Sequence, residues 1–240
     1  MMPVLLALAA ALGNLAGAFA VVRREQRSLA FIETCLVFGA GFMVALVLVG
    51  VLPEVFAATG AQPSAGLLVL LGYVLVHVAQ HVFTPHFHYG EETHAVAPGA
   101  GESALVGLTL HAFFDGVAIA SGFLVSERLG LLFFLAVVLH KLPEGVTIAS
   151  LMLASGRGRR AALLSGAVLG VATIAGVLLT QAVAPLARSG LALAAGVTLY
   201  VAASNLVPEF QAKRGIRMTG AFLGGVAALL LLGTLTGSAV

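Results

Sequence analysis

The sequence predicts an all-α, polytopic membrane protein with eight transmembrane helices and an inverted repeat. Of its 240 residues, 60% are hydrophobic and only 9% are charged, whereas a soluble domain carries about 25% charged residues. The apolar residues form eight long runs, and a helix needs roughly 20 such residues to cross a bilayer. They do not alternate as barrel strands do, so a helical bundle is expected to satisfy the backbone hydrogen bonds in lipid.

The predicted helices fill nearly the whole chain, so we expect one transmembrane domain over residues 1–240. In order, the helices cover about 3–22, 32–56, 65–84, 103–125, 129–153, 161–184, 190–211 and 217–238. The first segment carries its arginines after the apolar run, whereas a signal peptide carries its positive charge before it. We therefore expect the first segment to be a transmembrane helix and not a signal peptide. The longest connection, 85–102, is polar and rich in Gly, Pro and His, which is typical of a loop.

The basic residues predict the orientation of the chain in the membrane. If every segment spans, most of the Lys and Arg lie on one side, in loops that contain Arg23, Arg24, Arg27, Arg157, Arg159, Arg160, Lys213, Arg214 and Arg217. The positive-inside rule then places both termini outside and loop 85–102 in the cytoplasm. These clusters are too small for a nucleic-acid surface. The composition, rich in Ala, Leu and Arg but poor in Lys, is typical of a bacterium, so we expect a cytoplasmic membrane.

A weak repeat links the second and seventh predicted helices. In both, an Ala-Gly pair precedes a Pro-Glu pair by the same interval: Ala40-Gly41 with Pro53-Glu54, and Ala195-Gly196 with Pro208-Glu209. The two helices run in opposite directions, as an inverted repeat of helices 1–3 and 6–8 around a central pair requires. Glu54 and Glu209 then lie near opposite ends of the bundle. They are either entry and exit carboxylates or interfacial residues.

Two matched motifs in the fourth and fifth helices carry the chemistry. One runs from His111 to Asp115 and the other from His140 to Glu144, so each places a histidine and a carboxylate on one helix face. Ionised side chains at that depth cost about 2.5–3.5 kcal/mol and usually mark a site. Two imidazoles and two carboxylates suit Zn²⁺, and Cd²⁺, Fe²⁺ and Mn²⁺ remain open. The alternative is two separate hydrogen bonds that hold helices together.

A second histidine pair lies near the inner end of the third helix. His77 and His81 are four residues apart, with Gln80 beside them. They either pass a cation to the loop or pack against other helices. The loop itself contains three further histidines, which either capture metal or are simply solvated: His86, His88 and His94.

The sequence resembles the ZIP (Zrt-/Irt-like protein) family, of bacterial type, over essentially its full length. The resemblance depends on HAFFDG, HKLPEG, SG in the sixth helix, and the Pro-Glu endings VLPE and NLVPE, the latter beginning at Asn205. It implies a 3+2+3 arrangement of helices, a cation site between the fourth and fifth, and alternating access. Zinc is then a substrate imported into the cytoplasm, no cofactor is expected, and a homodimer remains open.

Three departures from the family pattern predict a single-metal site. Members with two adjacent metals have Asn after the first histidine, an acidic residue after the second motif's first ligand, and Glu in the sixth helix. Here these places hold Ala112, Lys141 and Leu169. The Lys141 ammonium would stand in place of a second cation, and a buried lysine needs a partner such as Asp115 or Glu144.

Two other functional classes compete with divalent-cation transport. An intramembrane zinc-dependent hydrolase would keep three zinc ligands and an open water position, but the sequence has no His-Glu-x-x-His motif. A proton-coupled carrier of organic solutes would use the same His and carboxylate pairs as a proton relay. We expect a transporter and not an enzyme.

Overall fold

The structure is a computed structural model that describes residues 1–23, 29–59, 62–83, 100–207 and 216–235. The regular secondary structure of these residues consists of helices joined by short turns, without strands. In chain order the helices are α1 (Met2–Val22), α2 (Leu29–Ala45), α3 (Leu52–Thr59), α4 (Pro63–Phe83), α5 (Ala100–Val125), α6 (Glu127–Ala154), α7 (Arg159–Ala182), α8 (Ala184–Tyr200) and α9 (Ile216–Leu235). The all-α prediction is confirmed for this part of the chain.

Six of the described helical segments are long and apolar enough to cross a membrane. They are Met2–Val22, Val37–Ala57, Ala104–Val125, Glu127–Ala154, Arg159–Ala182 and Ile216–Thr234. Two shorter apolar helices, Pro63–Ala79 and Ser189–Ser204, coincide with the third and seventh predicted spans. This pattern agrees with a polytopic membrane protein, and the number eight stays a prediction.

The predicted end of the long loop is wrong. Residues 100–102, assigned to loop 85–102, belong to the first turn of α5. Glu102 interacts favourably with the helix dipole in this turn, and the Gly101 N–H donates a hydrogen bond to Ser155 Oγ at 3.1 Å. The sixth predicted helix, 161–184, corresponds to α7 and ends earlier than predicted, at Ala182. The chain breaks at Val183, and α8 begins at Ala184 with a proline in its first turn.

Two π-helical turns, which we did not predict, interrupt the second and seventh spans. Leu46–Val51 joins α2 to α3, and Val201–Leu206 follows α8. Pro53 lacks an amide hydrogen and crowds the preceding turn. The helix widens there into the π-helical turn Leu46–Val51, in which the Leu52 N–H donates to Val47 O. The two turns are separated by the same interval as the repeated Ala-Gly pairs.

Glycines set the closest helix contacts. In four helix pairs (α1 with α6, α5 with α7, α2 with α9, α4 with α8), each helix has a glycine at which a Cβ would collide with a carbonyl oxygen of its partner. The pairs are Gly17 with Leu142 and Gly145 with Asn14, Gly116 with Thr173 and Gly176 with Phe113, Gly41 with Phe222 and Gly225 with Phe38, and Gly72 with Leu193 and Gly196 with Val69. Small residues allow this approach between helices in lipid, where the hydrophobic effect does not drive association.

One end of the bundle gathers basic residues. A buried cluster of Ala18, Ala149, Met152 and Ala162 brings the C-terminal ends of α1 and α6 together with the N-terminal end of α7. Arg157 pairs with Glu102 of α5, so α5 begins at the same end. Consequently Arg23 at the end of α1 and Arg157, Arg159 and Arg160 between α6 and α7 lie at the same end of the bundle as the start of α5.

Candidate metal site

The two matched motifs meet where α5 packs against α6. His111 and Asp115 lie one turn apart on α5, and His140 and Glu144 lie one turn apart on α6. Each side chain is deeply buried, with residue exposures of 3%, 3%, 4% and 3%. Helical spacing and the contact between neighbouring helices therefore bring all four residues into one polar region inside an apolar bundle.

Three of them form a compact cluster around one carboxylate oxygen. Asp115 Oδ2 lies 3.5 Å from His111 Nε2 and 3.3 Å from His140 Nε2. The two imidazole rings are stacked, with centroids 5.4 Å apart. One ligand atom from each residue lies within 4.8 Å of the others. This separation suits a single cation held by all three groups.

The tautomer of His140 strengthens the case for a cation. Its Nδ1–H donates to the Ala136 carbonyl oxygen at 2.9 Å, so in the neutral ring Nε2 carries a lone pair. That lone pair faces Asp115 Oδ2, another acceptor, at 3.3 Å. Two acceptors at this distance attract each other only through a proton or a metal ion between them. A backbone carbonyl that orients an imidazole in this way is typical of metal-binding histidines.

The His111 ring lies near Asp115 but makes no hydrogen bond in the described structure. Its Nε2 is 3.5 Å from Asp115 Oδ2, and both ring nitrogens are buried without a hydrogen-bond partner among the described residues. Leaving a buried polar group unsatisfied costs about 1–3 kcal/mol, so an imidazole without a hydrogen bond needs an explanation. A bond from Nε2 to a metal ion would supply one.

Lys141 is fully buried between the two carboxylates. Its Nζ lies 2.6 Å from Asp115 Oδ2 and 2.6 Å from Glu144 Oε2, so both of the partners considered from the sequence pair with it. Glu144 is not a member of the compact cluster of three. Its Oε2 accepts from Lys141, while Oε1 is buried without a hydrogen-bond partner in the described structure.

Asn14 of α1 also reaches this network, and the sequence analysis missed it. Its side chain is fully buried. With the amide oriented to suit its two acceptor neighbours, the nitrogen lies 2.6 Å from Lys141 O and 3.1 Å from Glu144 Oε2; such orientations are assigned from hydrogen bonding. The available signal was that Asn14 is the one polar side chain in the segment 2–22.

Comparison with known protein families shows to which family the chain belongs. The profile described as ZIP zinc transporter matches residues 100–233, more than half of the chain. The chain belongs to the ZIP family. The resemblance seen in the sequence motifs is thereby confirmed, and the family description is that of a transporter and not an enzyme, as expected.

Individual relatives with ZIP names come from vertebrates. Zinc transporter ZIP9 of Xenopus tropicalis is 28% identical over 179 residues, covering 64% of this chain and 59% of the relative. Zinc transporter ZIP13 of Pongo abelii is 27% identical over 204 residues, covering 78% and 61%. Zinc transporter ZIP4 of Homo sapiens is 34% identical over 137 residues, covering 53% and 21%. This ZIP-family chain thus spans about three fifths of the first two relatives, and a bacterial origin stays a prediction.

Three other candidate residues that the structure describes contribute no ligand to the central cluster: Glu54, His77 and His81. Glu54 is exposed in the first turn of α3. His77 and His81 are exposed, with rings stacked 4.1 Å apart, and the His81 Nδ1–H donates to His77 O at 2.8 Å. His77 also contacts Tyr200 of α8, with ring centroids 5.8 Å apart.

Six candidate residues lie wholly or partly outside the described structure. The side chains of Gln80 and Asn205 lie outside the description, although their backbones are helical. Four further candidates lie outside the described residues altogether: His86, His88, His94 and Glu209.

Proposed function

We propose that this protein transports divalent metal cations, with zinc as the first candidate, across a cytoplasmic membrane into the cell. The ion would pass between α5 and α6 and bind His111, Asp115, His140 and Glu144. The observation that carries this proposal is the convergence of His140 Nε2 and His111 Nε2 on Asp115 Oδ2, at 3.3 Å and 3.5 Å, with both ring nitrogens of His111 buried and without a hydrogen bond in the described structure. Nitrogen and carboxylate oxygen ligands suit Zn²⁺, and they also accept Cd²⁺, Fe²⁺ and Mn²⁺.

Glu144 would complete the site through Oε1. This oxygen is buried and without a hydrogen-bond partner in the described structure, while Oε2 is occupied by Lys141. Two imidazoles and one oxygen from each carboxylate give the four ligands that zinc commonly takes. Lys141 connects Glu144 to Asp115, and a shift of the Glu144 side chain would bring Oε1 into the cluster.

Uptake by the purified protein tests the function directly. In proteoliposomes with a zinc-sensitive dye inside, we expect zinc entry well above that of empty vesicles. Initial rates in competition with Cd²⁺, Fe²⁺ and Mn²⁺ would give the order of preference. Retained transport of an organic solute without any metal flux would favour the proton-coupled carrier instead.

We further propose one metal ion per chain in the central site. The Lys141 ammonium, held at 2.6 Å by both carboxylates, supplies the positive charge that a second ion would supply. Elemental analysis of the wild type and His111→Ala should therefore differ by one equivalent of zinc. Subtracting the zinc bound by His111→Ala from that bound by the wild type cancels any zinc held by histidines elsewhere in the chain. A difference of two equivalents would contradict the single-metal site.

The proposed architecture is a 3+2+3 bundle of eight spans with an inverted repeat and alternating access. Its support is that the close contacts recur at fixed intervals. Gly41 and Phe38 of α2 are followed, after one common interval, by Gly196 and Leu193 of α8. The two π-helical turns obey the same interval.

The flanking helices of the two halves show the same correspondence. Asn14 and Gly17 of α1 contact α6 as Thr173 and Gly176 of α7 contact α5. A two-fold relation of this kind supports a substrate site between the repeats, which we propose to lie where α5 meets α6.

The proposed orientation has both termini outside and loop 85–102 in the cytoplasm. Its support is the basic end of the bundle, where Arg157 pairs with Glu102 at the start of α5. Arg159 and Arg160 begin α7 at that end, and Arg23 caps α1 there. Cytoplasmic loops carry an excess of such residues.

A further inference from the structure

Asn14 lies at the tightest contact between α1 and α6. A Cβ on Gly145 would collide with the Asn14 carbonyl oxygen, and one on Gly17 would collide with Leu142 O. The Asn14 side chain is consequently enclosed, with no exposed surface. An amide in such a place has to find its partners locally, because an unsatisfied one is costly in an apolar interior.

The partners of Asn14 belong to the metal site. Its amide nitrogen lies 3.1 Å from Glu144 Oε2 and 2.6 Å from the Lys141 carbonyl oxygen. Glu144 Oε2 therefore receives two donors, the amide and the Lys141 ammonium at 2.6 Å. Glu144 Oε1 receives none from the described residues. The carboxylate is thus fixed by one oxygen, and the other is left for a ligand.

We infer that Asn14 is a positioning residue that fixes Glu144 from α1, so that Oε1 can bind the transported cation as a single oxygen ligand. The inference rests on the proposed function, which makes Glu144 a metal ligand. Hydrogen-bond partners that orient a metal-binding side chain typically contribute about 10–100-fold in metal affinity. Asn14 would contribute within this range without touching the ion.

The chain offers a matched control on α7. Thr173 occupies the position of α7 that corresponds to Asn14, since its carbonyl oxygen meets Gly116 as that of Asn14 meets Gly145. It is also fully buried, but its hydroxyl donates to Leu169 O of its own helix at 3.2 Å. Thr173 therefore shows that a threonine fits at a close helix contact of this kind, with its hydroxyl bonded within its own helix.

The experiment compares Asn14→Thr with Thr173→Val in the purified full-length protein. By competition with a zinc chelator, Asn14→Thr should raise the zinc dissociation constant about 10-fold or more. Thr173→Val should leave it unchanged. Asn14→Leu, which keeps the branched arrangement of heavy atoms and removes the donor, should behave as Asn14→Thr does. Thermal unfolding in metal-free buffer checks that the variants are folded, and loss of the fold in both Asn14 variants would overturn a role confined to Glu144.

A double-mutant cycle separates positioning from general packing. In a Glu144→Gln background, Asn14→Thr should change the dissociation constant by less than about twofold, because its target is gone. An equal loss of affinity in both backgrounds would overturn the inference, as would wild-type affinity in Asn14→Thr or in Glu144→Gln. Failure of the proposed function has a different signature, since the wild type itself would then bind and transport no metal.

Discussion

His111→Ala should take up zinc in proteoliposomes at no more than about a hundredth of the wild-type rate. Disturbing a group that merely orients a metal ligand costs about 10–100-fold, and the loss of the ligand itself should reach the upper limit or exceed it. The fold should survive, because neither ring nitrogen of His111 has a hydrogen-bond partner among the described residues. Removing the imidazole thus breaks no structural hydrogen bond and leaves the apolar surface of α5 in place.

The matched control for this variant is Ser121→Ala. Ser121 lies on the same helix, is buried, and has a hydroxyl without a hydrogen-bond partner in the described structure. It therefore resembles His111 as a buried unsatisfied group but lies outside the proposed site. Uptake by Ser121→Ala should equal that of the wild type at the same protein-to-lipid ratio. Near-normal zinc uptake by His111→Ala, in protein shown to be folded, would eliminate the proposed site.

Much of the central site was predictable because helical spacing and membrane energetics act locally. Residues four apart share a helix face, so the two motifs had to present His111 with Asp115 and His140 with Glu144. Charged groups are expensive in lipid, which is why Lys141 was expected to pair. The structure gives it both carboxylates at once.

Spacing alone could not distinguish the two carboxylates. Asp115 and Glu144 hold equivalent places in their motifs, yet only Asp115 joins the two histidines in the compact cluster. Lys141 holds one oxygen of each carboxylate at 2.6 Å, but only Asp115 Oδ2 also lies near the two imidazoles. The difference therefore depends on how α5 and α6 are placed against each other, which the spacing within each motif does not give.

Features that depend on contact between distant helices were not predictable. Asn14 meets Glu144 only because α1 and α6 approach closely at Gly17 and Gly145. The sequence of α1 marks Asn14 as its one polar residue, but it does not indicate which helix that residue contacts. The π-helical turn Leu46–Val51 likewise depends on how its helix accommodates Pro53 within the bundle. The apolar pattern gave the helices themselves, but not the interruptions within them.

Lys141→Met should be the most destabilising single substitution in the site. It removes the ammonium that lies 2.6 Å from each carboxylate and leaves Asp115 and Glu144 facing each other in a fully buried place. Breaking a buried ion pair in this way costs about 3–5 kcal/mol. Thermal unfolding in detergent, in the presence of a chelator, should show a clear fall in midpoint temperature relative to the wild type.

Neutralising the carboxylates provides the control. The combination of Lys141→Met with Asp115→Asn and Glu144→Gln removes the unpaired charges, and replacing a complete buried ion pair is often nearly neutral. The triple variant should therefore unfold close to the wild-type temperature although it binds no zinc. If it were as unstable as Lys141→Met alone, the loss would arise from packing around the lysine stem and not from charge.

Zinc itself should partly restore the stability of Lys141→Met. If the ammonium takes the place of a second cation, its removal leaves room and two carboxylates for that cation. A ligand that binds only the folded state raises its stability in proportion to the logarithm of its concentration over the dissociation constant. Zinc should accordingly raise the unfolding temperature of Lys141→Met more than that of the wild type, and the bound metal should increase by one equivalent. Equal zinc-dependent shifts, with one equivalent in both proteins, would show that Lys141 pairs the carboxylates without replacing a metal ion.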